Sequence, residues 1–287
     1  MVPLRVVSGS ASVRLSTQLS GILSAELTVA EVSTFADGEL YVRIPGPLDG
    51  EDLVVVQTSY PNDKLLELFL LQDALWDSRP ASLTVVIPYF AYGRQDKRFR
   101  EGEAISSRAV AKRVQINAHR IVTVDVHDRR VVDYFDVPFK DISGMPALAR
   151  YFAEQGVEMV LAPDENAARH AEAIGSLMGV PWDYLKKERI DSWTVETEEK
   201  ALEVEGLKVA IVDDVISTGG TMASAARIIK RQGARSVVAG CVHGLFVGGA
   251  DDRLKGFDDV VATDTVYSGY TKVSVAPELA EELSRLK

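Results

Sequence analysis

Short runs rich in valine and isoleucine recur along the chain, and longer amphipathic stretches separate several of them. The runs are Leu4–Val7, Leu53–Val56, Leu83–Ile87, Ile121–Val124, Met159–Leu161, Val209–Val212, Val237–Val242 and Val260–Ala262. The stretches predicted as helices are Val13–Leu27, Leu65–Trp76, Ser107–Asn117, Pro146–Gln155, Ala167–Met178, Met222–Gln232 and Pro277–Leu286. This alternation predicts an α/β fold with parallel sheets covered on both faces. Because ligands of such folds bind beyond the carboxyl ends of the strands, motifs that follow a strand have the most weight.

The length and an internal similarity both favour two domains. A chain of 287 residues exceeds the usual domain size of roughly 100–200 residues. The runs Arg120–Asp128 and Lys208–Val215 are both apolar strands that end in acids, which fits two related halves. We place the boundary near Phe139–Gly144, where proline and glycine punctuate the chain. The predicted domains are residues 1–140, joined by the C-terminal helix 275–287, and residues 141–274.

Charge and cysteine content exclude several classes of protein. The net charge of −10 argues against a general binder of nucleic acids or membrane surfaces. The single cysteine, Cys241, rules out a disulfide framework or a cysteine-based zinc site within one chain, and its apolar surroundings predict a buried core residue. No run approaches the roughly 18 apolar residues of a membrane span, and the N-terminus lacks a signal-peptide layout. We therefore expect a cytoplasmic protein without a membrane partner.

The strongest local motif is VAIVDDVISTGGTM, residues Val209–Met222. An apolar strand ends in two acids, and a loop of hydroxyl and glycine residues leads into an amphipathic helix. The loop residues are Ser217, Thr218, Gly219, Gly220 and Thr221. Glycines let the backbone approach a ligand, and the N–H groups of a loop and a helix N-terminus form an anion site. The bland alternative is an ordinary glycine turn with Thr221 as the helix N-cap.

Asp213 and Asp214, just before this loop, would repel a phosphate but suit the hydroxyl groups of a sugar. The combined ligand is therefore a sugar phosphate. Here the chain resembles the phosphoribosyltransferase-type fold, in which the same apolar–acid–acid–loop pattern occurs. The resemblance implies that Asp213 and Asp214 bind the 2- and 3-hydroxyls of ribose, and that Ser217–Thr221 bind its 5-phosphate. It also implies two domains of this type, each a mainly parallel sheet flanked by helices.

The N-terminal half offers candidates for a nucleotide site, although no Walker A pattern occurs in the chain. FADGELYVRI, residues Phe35–Ile44, has Phe35, Asp37 and Glu39 around Gly38. PYFAYGRQDKRF follows the strand Leu83–Ile87 and supplies Arg94, Gln95 and Asp96. An aromatic ring and a guanidinium can sandwich an adenine, and arginine also binds phosphate. Taken singly, these segments are equally well explained as a turn at Asp37-Gly38 and as a solvated basic face.

In order along the chain, the motifs F-x-D-G-E, P-Y-x-x-Y-x-R-Q-D, D-x-H, K-x-R and V-D-D-x-x-S-T-G-G-T resemble the ribose-phosphate diphosphokinase family, most closely its archaeal members. The resemblance covers nearly the whole chain. It implies transfer of the diphosphoryl group of Mg-ATP to the 1-hydroxyl of ribose 5-phosphate, for nucleotide biosynthesis. It further implies ATP in the N-terminal half, contacted by Phe35, Asp37, Gly38, Glu39, Arg94, Gln95 and Asp96. The resemblance also implies that ribose 5-phosphate binds in the C-terminal half and that a homo-oligomer completes the ATP site across a subunit interface.

Two residues at strand ends are candidate Mg²⁺ contacts. His127 follows the strand Ile121–Val124, and Asp164 follows the strand Met159–Leu161. Mg²⁺ prefers oxygen ligands, so the residues alone favour a core or hydrogen-bonding role for the histidine. The resemblance favours both residues as ligands of the ion or of its waters. The segment Ala162–Ala167 departs from the family pattern because it lacks glycine, and we expect Asn166 to preserve the turn with a positive φ.

Lys187 and Arg189 begin a polar segment, Lys186–Glu205, whose length predicts a mobile flap. The resemblance places both cations in the catalytic loop and also places Arg189 near the sugar phosphate. An exposed, non-catalytic turn is the alternative from the residues alone. Two other functions remain open at this point. A phosphoribosyltransferase would use no ATP, and a catalytically silent regulatory homologue would bind nucleotides or a partner enzyme.

Overall fold

A computed structural model describes residues 2–185, 187–189, 195–197 and 202–285 of the chain. It divides into a first unit, Met1–Ser143 with Val275–Lys287, and a second unit, Gly144–Ser274. Each unit is built on a six-stranded sheet in which all hydrogen-bonded strand pairs of the described residues are parallel. The predicted α/β class, with two mainly parallel sheets flanked by helices, is confirmed.

The first unit is built from strands and helices, with four strands in succession after its first helix. In chain order its elements are β1 (Leu4–Ser8), α1 (Val13–Leu23), β2 (Glu26–Val29), β3 (Glu31–Thr34), β4 (Leu40–Arg43), β5 (Asp52–Val56), α2 (Asn62–Asp77), β6 (Ser82–Ile87), α3 (Ser106–Val114), β7 (Arg120–Val124) and β8 (Phe139–Ile142). The sheet order is β2-β1-β5-β6-β7-β8. Strands β3 and β4 form a separate antiparallel hairpin that packs on α2. The central strands are apolar on both faces because helices cover each side.

The second unit follows the same plan. Its elements are α4 (Met145–Glu154), β9 (Met159–Ala162), α5 (Ala168–Met178), β10 (Trp182–Tyr184), β11 (Lys187–Arg189), β12 (Val195–Thr197), β13 (Lys208–Ile216), α6 (Gly220–Arg231), β14 (Ser236–Gly244), α7 (Ala250–Leu254), β15 (Asp259–Thr263) and β16 (Thr271–Val273). The sheet order is β10-β9-β13-β14-β15-β16, so β13 and β14 lie at the centre. Strands β11 and β12 form a separate antiparallel pair. The last helix, α8 (Ala276–Ser284), belongs to the first unit and packs on α1.

Several element boundaries differ from the predictions, and the reasons are local. Helix α1 ends at Leu23, not at Leu27, because Ser24 adopts a left-handed conformation with φ of 50°. The chain then turns directly into the edge strand β2, which pairs with β1. Strands β2, β8 and β16 and the β3–β4 hairpin lack a continuous apolar run and were not predicted. Cys241 is fully buried, as expected, and its burial raises the pKa of the thiol. No helix among the described residues is long and apolar enough to span a bilayer.

Candidate functional site

The acid pair lies near the carboxyl end of β13, in the middle of the second sheet. Asp214 is 4% exposed, and Asp213 is partly buried. The Asp214 N–H donates to Oδ1 of Asp213 at 2.9 Å, and the Val215 N–H donates to Oδ1 of Asp214 at 2.8 Å. Each carboxylate therefore keeps a fixed direction in the ligand-free fold.

Burial, together with the charge of Asp214 beside it, raises the pKa of Asp213 well above its ordinary value of 3.8. The charge of Asp164 at the end of β9 adds to the effect. Two carboxylates this close repel each other unless hydroxyl groups or cations face them. The pair is therefore an electrostatically costly arrangement that a polyhydroxylated or cationic ligand would relieve.

Asp213→Asn is expected to stabilise the ligand-free protein near neutral pH. The pKa of the folded carboxyl lies above that of the unfolded chain, so its contribution to stability is complete below about pH 3.8 and is lost as the pH rises through the folded pKa. Thermal unfolding with a chelator present should give the variant a higher Tm at pH 7. The difference should shrink as the pH is lowered toward the unfolded pKa. A variant less stable than the wild type at pH 7 would contradict the raised pKa.

The loop after β13 leads into α6 with an open N-terminus. Helix α6 begins at Gly220, and its N-cap is Gly219, whose φ of 74° is left-handed and suits glycine. No side chain caps this end, so Thr221 is not the N-cap and that alternative is wrong. A capping side chain would occupy the N–H groups of the first turn. Its absence leaves these donors available to an anion, next to the carboxylates of β13.

Asp164 follows β9 and begins the glycine-free loop. Residues Glu165–Ala167 form one 3₁₀ turn, and the Asp164 carboxylate caps it by accepting from the Ala167 N–H at 3.3 Å. Asn166 is not among the residues with positive φ, so the expectation of a left-handed turn there is wrong. A right-handed 3₁₀ turn needs no glycine. The aspartate cap therefore closes this turn without a glycine.

His170 is a site residue that the sequence analysis missed. It lies on α5, is 6% exposed, and has a ring nitrogen that lies with carboxylate oxygens of Asp213 and Asp214 within 4.8 Å of one another. The Nε–H of Arg169 donates to Nε2 of His170 at 3.0 Å. The sequence pattern points to strand ends as ligand positions, whereas this imidazole comes from a helix. One imidazole and two carboxylates form a donor set that fits a divalent cation.

In the first unit, Phe35–Glu39 form the tip of the β3–β4 hairpin. The Phe35 N–H donates to the Glu39 carbonyl at 2.8 Å, the Asp37 carboxylate accepts from the Glu39 N–H at 3.1 Å, and Gly38 has φ of 94°. The predicted turn at Asp37-Gly38 is thus present. Phe35 is 54% exposed and makes an edge contact with Tyr41. Its aromatic face is available for stacking.

Arg94, Gln95 and Asp96 lie in the loop between β6 and α3. Gln95 binds the start of α3, since its side chain accepts from Ser106 and its carbonyl accepts from the Ser107 N–H at 3.2 Å. Asp96 forms an ion pair with Arg130, which also pairs with Asp128. The hydrogen bond from Arg130 holds the pKa of Asp128 well below its usual range. Arg94 is exposed. The structure therefore fixes two of these three predicted residues through polar contacts of their own.

The remaining predicted residues are distributed over both units. His127 follows β7 in the first unit and is exposed, and Gly93 lies beside it. Asp164 belongs to the second unit, so the shared metal site of these two residues stays a prediction. The backbone of Lys187 and Arg189 forms β11, which pairs with β12. Their side chains lie outside the described residues.

Comparisons with known proteins agree over the whole chain. Residues 4–116 match the N-terminal domain of ribose phosphate pyrophosphokinase, and residues 146–278 match the phosphoribosyl transferase domain. Ribose-phosphate pyrophosphokinase of Methanopyrus kandleri is 42% identical over 98% of this chain and 99% of its own length. The protein of that name from Methanothermobacter thermautotrophicus is 38% identical over 96% and 98%.

A solved structure extends the agreement to three dimensions. The crystal structure of phosphoribosylpyrophosphate synthetase from Mycobacterium smegmatis is similar, with a TM-score of 0.84 and 30% identity over 99% of this chain and 98% of that one. Both halves match in order, and near-full-length relatives exceed a third identity. The chain therefore belongs to the ribose-phosphate pyrophosphokinase family of enzymes.

Proposed function

We propose that this chain transfers the diphosphoryl group of Mg-ATP to the 1-hydroxyl of ribose 5-phosphate, giving 5-phosphoribosyl 1-diphosphate and AMP for nucleotide biosynthesis. The observation that supports it most is the pairing of the buried Asp214 and the partly buried Asp213 on β13 with the uncapped N-terminus of α6 directly after them. This arrangement offers acceptors for sugar hydroxyls and donors for a phosphate within one loop.

The sugar half of the site follows from these donors and acceptors. The N–H groups of Ser217–Thr221, with the hydroxyls of the same loop, bind the 5-phosphate. Asp213 and Asp214 accept hydrogen bonds from the 2- and 3-hydroxyls. Fixing the sugar at both ends orients its 1-hydroxyl for attack, and such positioning supplies much of the rate enhancement in phosphoryl transfer.

The nucleotide half lies in the first unit. Phe35 stacks on the adenine, the polar groups of Asp37–Glu39 bind its edge or the ribose, and Arg94 with Gln95 and Asp96 completes the site. The exposure of Phe35 and Arg94 supports this assignment because both are available to a ligand. An exposed aromatic at a hairpin tip also suits contact with a second copy of the chain. A homo-oligomer with the ATP site near a subunit interface is therefore part of the proposal.

Mg²⁺ is the cofactor of the proposed reaction. When bound, it neutralises charge on the transferring phosphates. In the second unit, the donor set of His170, Asp213 and Asp214 fits a divalent ion, while His127 and Asp164 are the ligands that the family resemblance implies. Lys187 and Arg189 stabilise the negative charge that develops on the β-phosphoryl oxygens and on the leaving AMP. No covalent nucleophile is required.

The proposal predicts Mg²⁺-dependent release of AMP, not ADP, from ATP and ribose 5-phosphate. Attack at the β-phosphorus expels AMP, whereas attack at the γ-phosphorus would leave ADP. Chromatography of the nucleotides after incubation distinguishes the two. Ribose without its phosphate is the control and should give no AMP above background. ADP as the sole nucleotide product would refute diphosphoryl transfer.

A further inference from the structure

The segment Leu245–Leu254, which follows β14 and includes α7, lies directly against the loop Ser217–Gly219. We call it the support segment. The N–H groups of Leu245 and Phe246 donate to the Ile216 carbonyl at 2.9 and 3.2 Å. The Val247 N–H donates to the Ser217 carbonyl at 3.0 Å. Three backbone N–H groups of the support segment therefore bind the carbonyls of Ile216 and Ser217. These two carbonyls lie at the start of the loop Ser217–Thr221, which we call the phosphate loop.

Arg253 binds the next carbonyl along the loop, that of Thr218. The guanidinium nitrogen Nη1 donates to the Thr218 carbonyl at 2.9 Å and to the Gly248 carbonyl at 2.8 Å. The first contact reaches the loop, and the second closes the support segment on itself. Leu254 next to it packs on Gly219, where an added Cβ would lie 3.3 Å from the Leu254 Cγ. Successive carbonyls from Ile216 to Thr218 thus all point at the support segment.

Because the peptide group is planar, the direction of each bound carbonyl also determines the direction of the N–H group in the same peptide. In a trans peptide the C=O and N–H bonds point in opposite directions. Fixing the carbonyls of Ile216, Ser217 and Thr218 therefore directs the N–H groups of Ser217, Thr218 and Gly219 away from the support segment. No described residue accepts a hydrogen bond from these three N–H groups. Successive N–H groups turned to one side form a concavity that binds anions.

We infer that Arg253 is a positioning residue for the sugar phosphate: by anchoring the Thr218 carbonyl it turns the Gly219 N–H toward the 5-phosphate. The inference rests on the proposed function of the loop. The Arg253 guanidinium contacts the Thr218 carbonyl, on the side of the loop opposite to the N–H groups that bind the phosphate, so Arg253 does not itself touch the ligand. Gly219 has no side chain to restrain its backbone and already adopts a left-handed φ, so its preceding peptide can rotate easily without this anchor.

Arg253→Ala should therefore weaken binding of ribose 5-phosphate by about tenfold or more, because donors misplaced by a fraction of an ångström lose much of their interaction. Calorimetry on the full-length protein, with ribose 5-phosphate as titrant, measures the affinity. The KM for ribose 5-phosphate should rise by a similar factor, while the KM for ATP stays within about twofold. Arg253→Lys should lose less, since one ammonium group can still reach one of the two carbonyls.

Lys255→Ala is the matched control. Lys255 lies two residues from Arg253, has the same charge and pairs with Asp252 at 2.7 Å. Its removal should leave the affinity for ribose 5-phosphate unchanged. Equal weakening in Lys255→Ala and Arg253→Ala would show an effect of net charge and overturn the inference. So would wild-type affinity in Arg253→Ala.

A ligand-free measurement separates the anchoring from the proposed function. The Val247 N–H donates to the phosphate loop, so its hydrogen exchange reports whether the loop stays in place. Arg253→Ala should give several-fold faster exchange in peptides that cover residues 245–250, and Lys255→Ala should not. Unchanged exchange in Arg253→Ala would refute the anchoring. If the wild type failed to bind ribose 5-phosphate, the proposed function would be wrong. The hydrogen-exchange result would still show whether Arg253 fixes the loop, because it is measured without ligand.

Discussion

Replacing Lys187 or Arg189 by alanine is expected to lower kcat by roughly 10²–10³ while the protein remains folded. Both cations belong to the polar segment Lys186–Glu205, in which charged and hydroxyl residues predominate. We propose that they stabilise the negative charge that develops on the phosphates in the transition state. Removing such an interaction lowers kcat more than it weakens ground-state binding. Surface substitutions of this type usually change the free energy of unfolding by less than about 0.5 kcal/mol, so Tm should barely move.

The measurement is steady-state turnover beside thermal unfolding for each variant. Lys200→Ala is a suitable control because it removes one positive charge from the same polar segment. It should retain near wild-type kcat. For Arg189→Ala, the KM for ribose 5-phosphate should also rise, since the family resemblance implies that this arginine contacts the sugar phosphate. Near wild-type turnover in both Lys187→Ala and Arg189→Ala, with an intact fold, would show that this segment is an exposed turn without a catalytic role.

The fold class was predictable because its strongest signals are local. Long apolar runs such as Leu83–Ile87 and Val209–Val212 form the central strands, where burial on both faces demands continuous hydrophobicity. Edge strands such as β2 and the β3–β4 hairpin are half exposed and mix polar with apolar residues. They form because a neighbouring strand or helix is available in the folded chain. The residues of such a strand do not by themselves indicate which neighbour it will pair with or pack against.

The candidate site was predictable where a strand end determines its position. Asp213, Asp214 and the following loop needed only the rule that ligands bind at the carboxyl edge of a parallel sheet. His170 comes from a helix, and its approach to the acid pair depends on how α5 packs beside β13. Arg253 lies 35 residues beyond Thr218 and contacts it only because β14 lies next to β13. Both contacts arise from tertiary packing, which spacing along the chain does not encode.

Asp213→Ala and Asp214→Ala are each expected to weaken binding of ribose 5-phosphate by about 10- to 100-fold. A hydrogen bond to a charged group contributes about 1.5–3 kcal/mol, and about 1.4 kcal/mol corresponds to a factor of ten in affinity. Binding of ATP, which is assigned to the first unit, should change little in either variant.

Calorimetry with ribose 5-phosphate, and separately with a non-hydrolysable ATP analogue, measures the two effects. Asp213→Asn and Asp214→Asn are the matched variants, since an amide keeps one acceptor oxygen in the same place and should lose less affinity. Thermal unfolding of both alanine variants, measured alongside the calorimetry, separates weaker binding from loss of folding. If both alanine variants kept the wild-type affinity and turnover for ribose 5-phosphate, the acid pair would not bind the ribose hydroxyls. Its burial beside His170 would then be explained by a cation site alone.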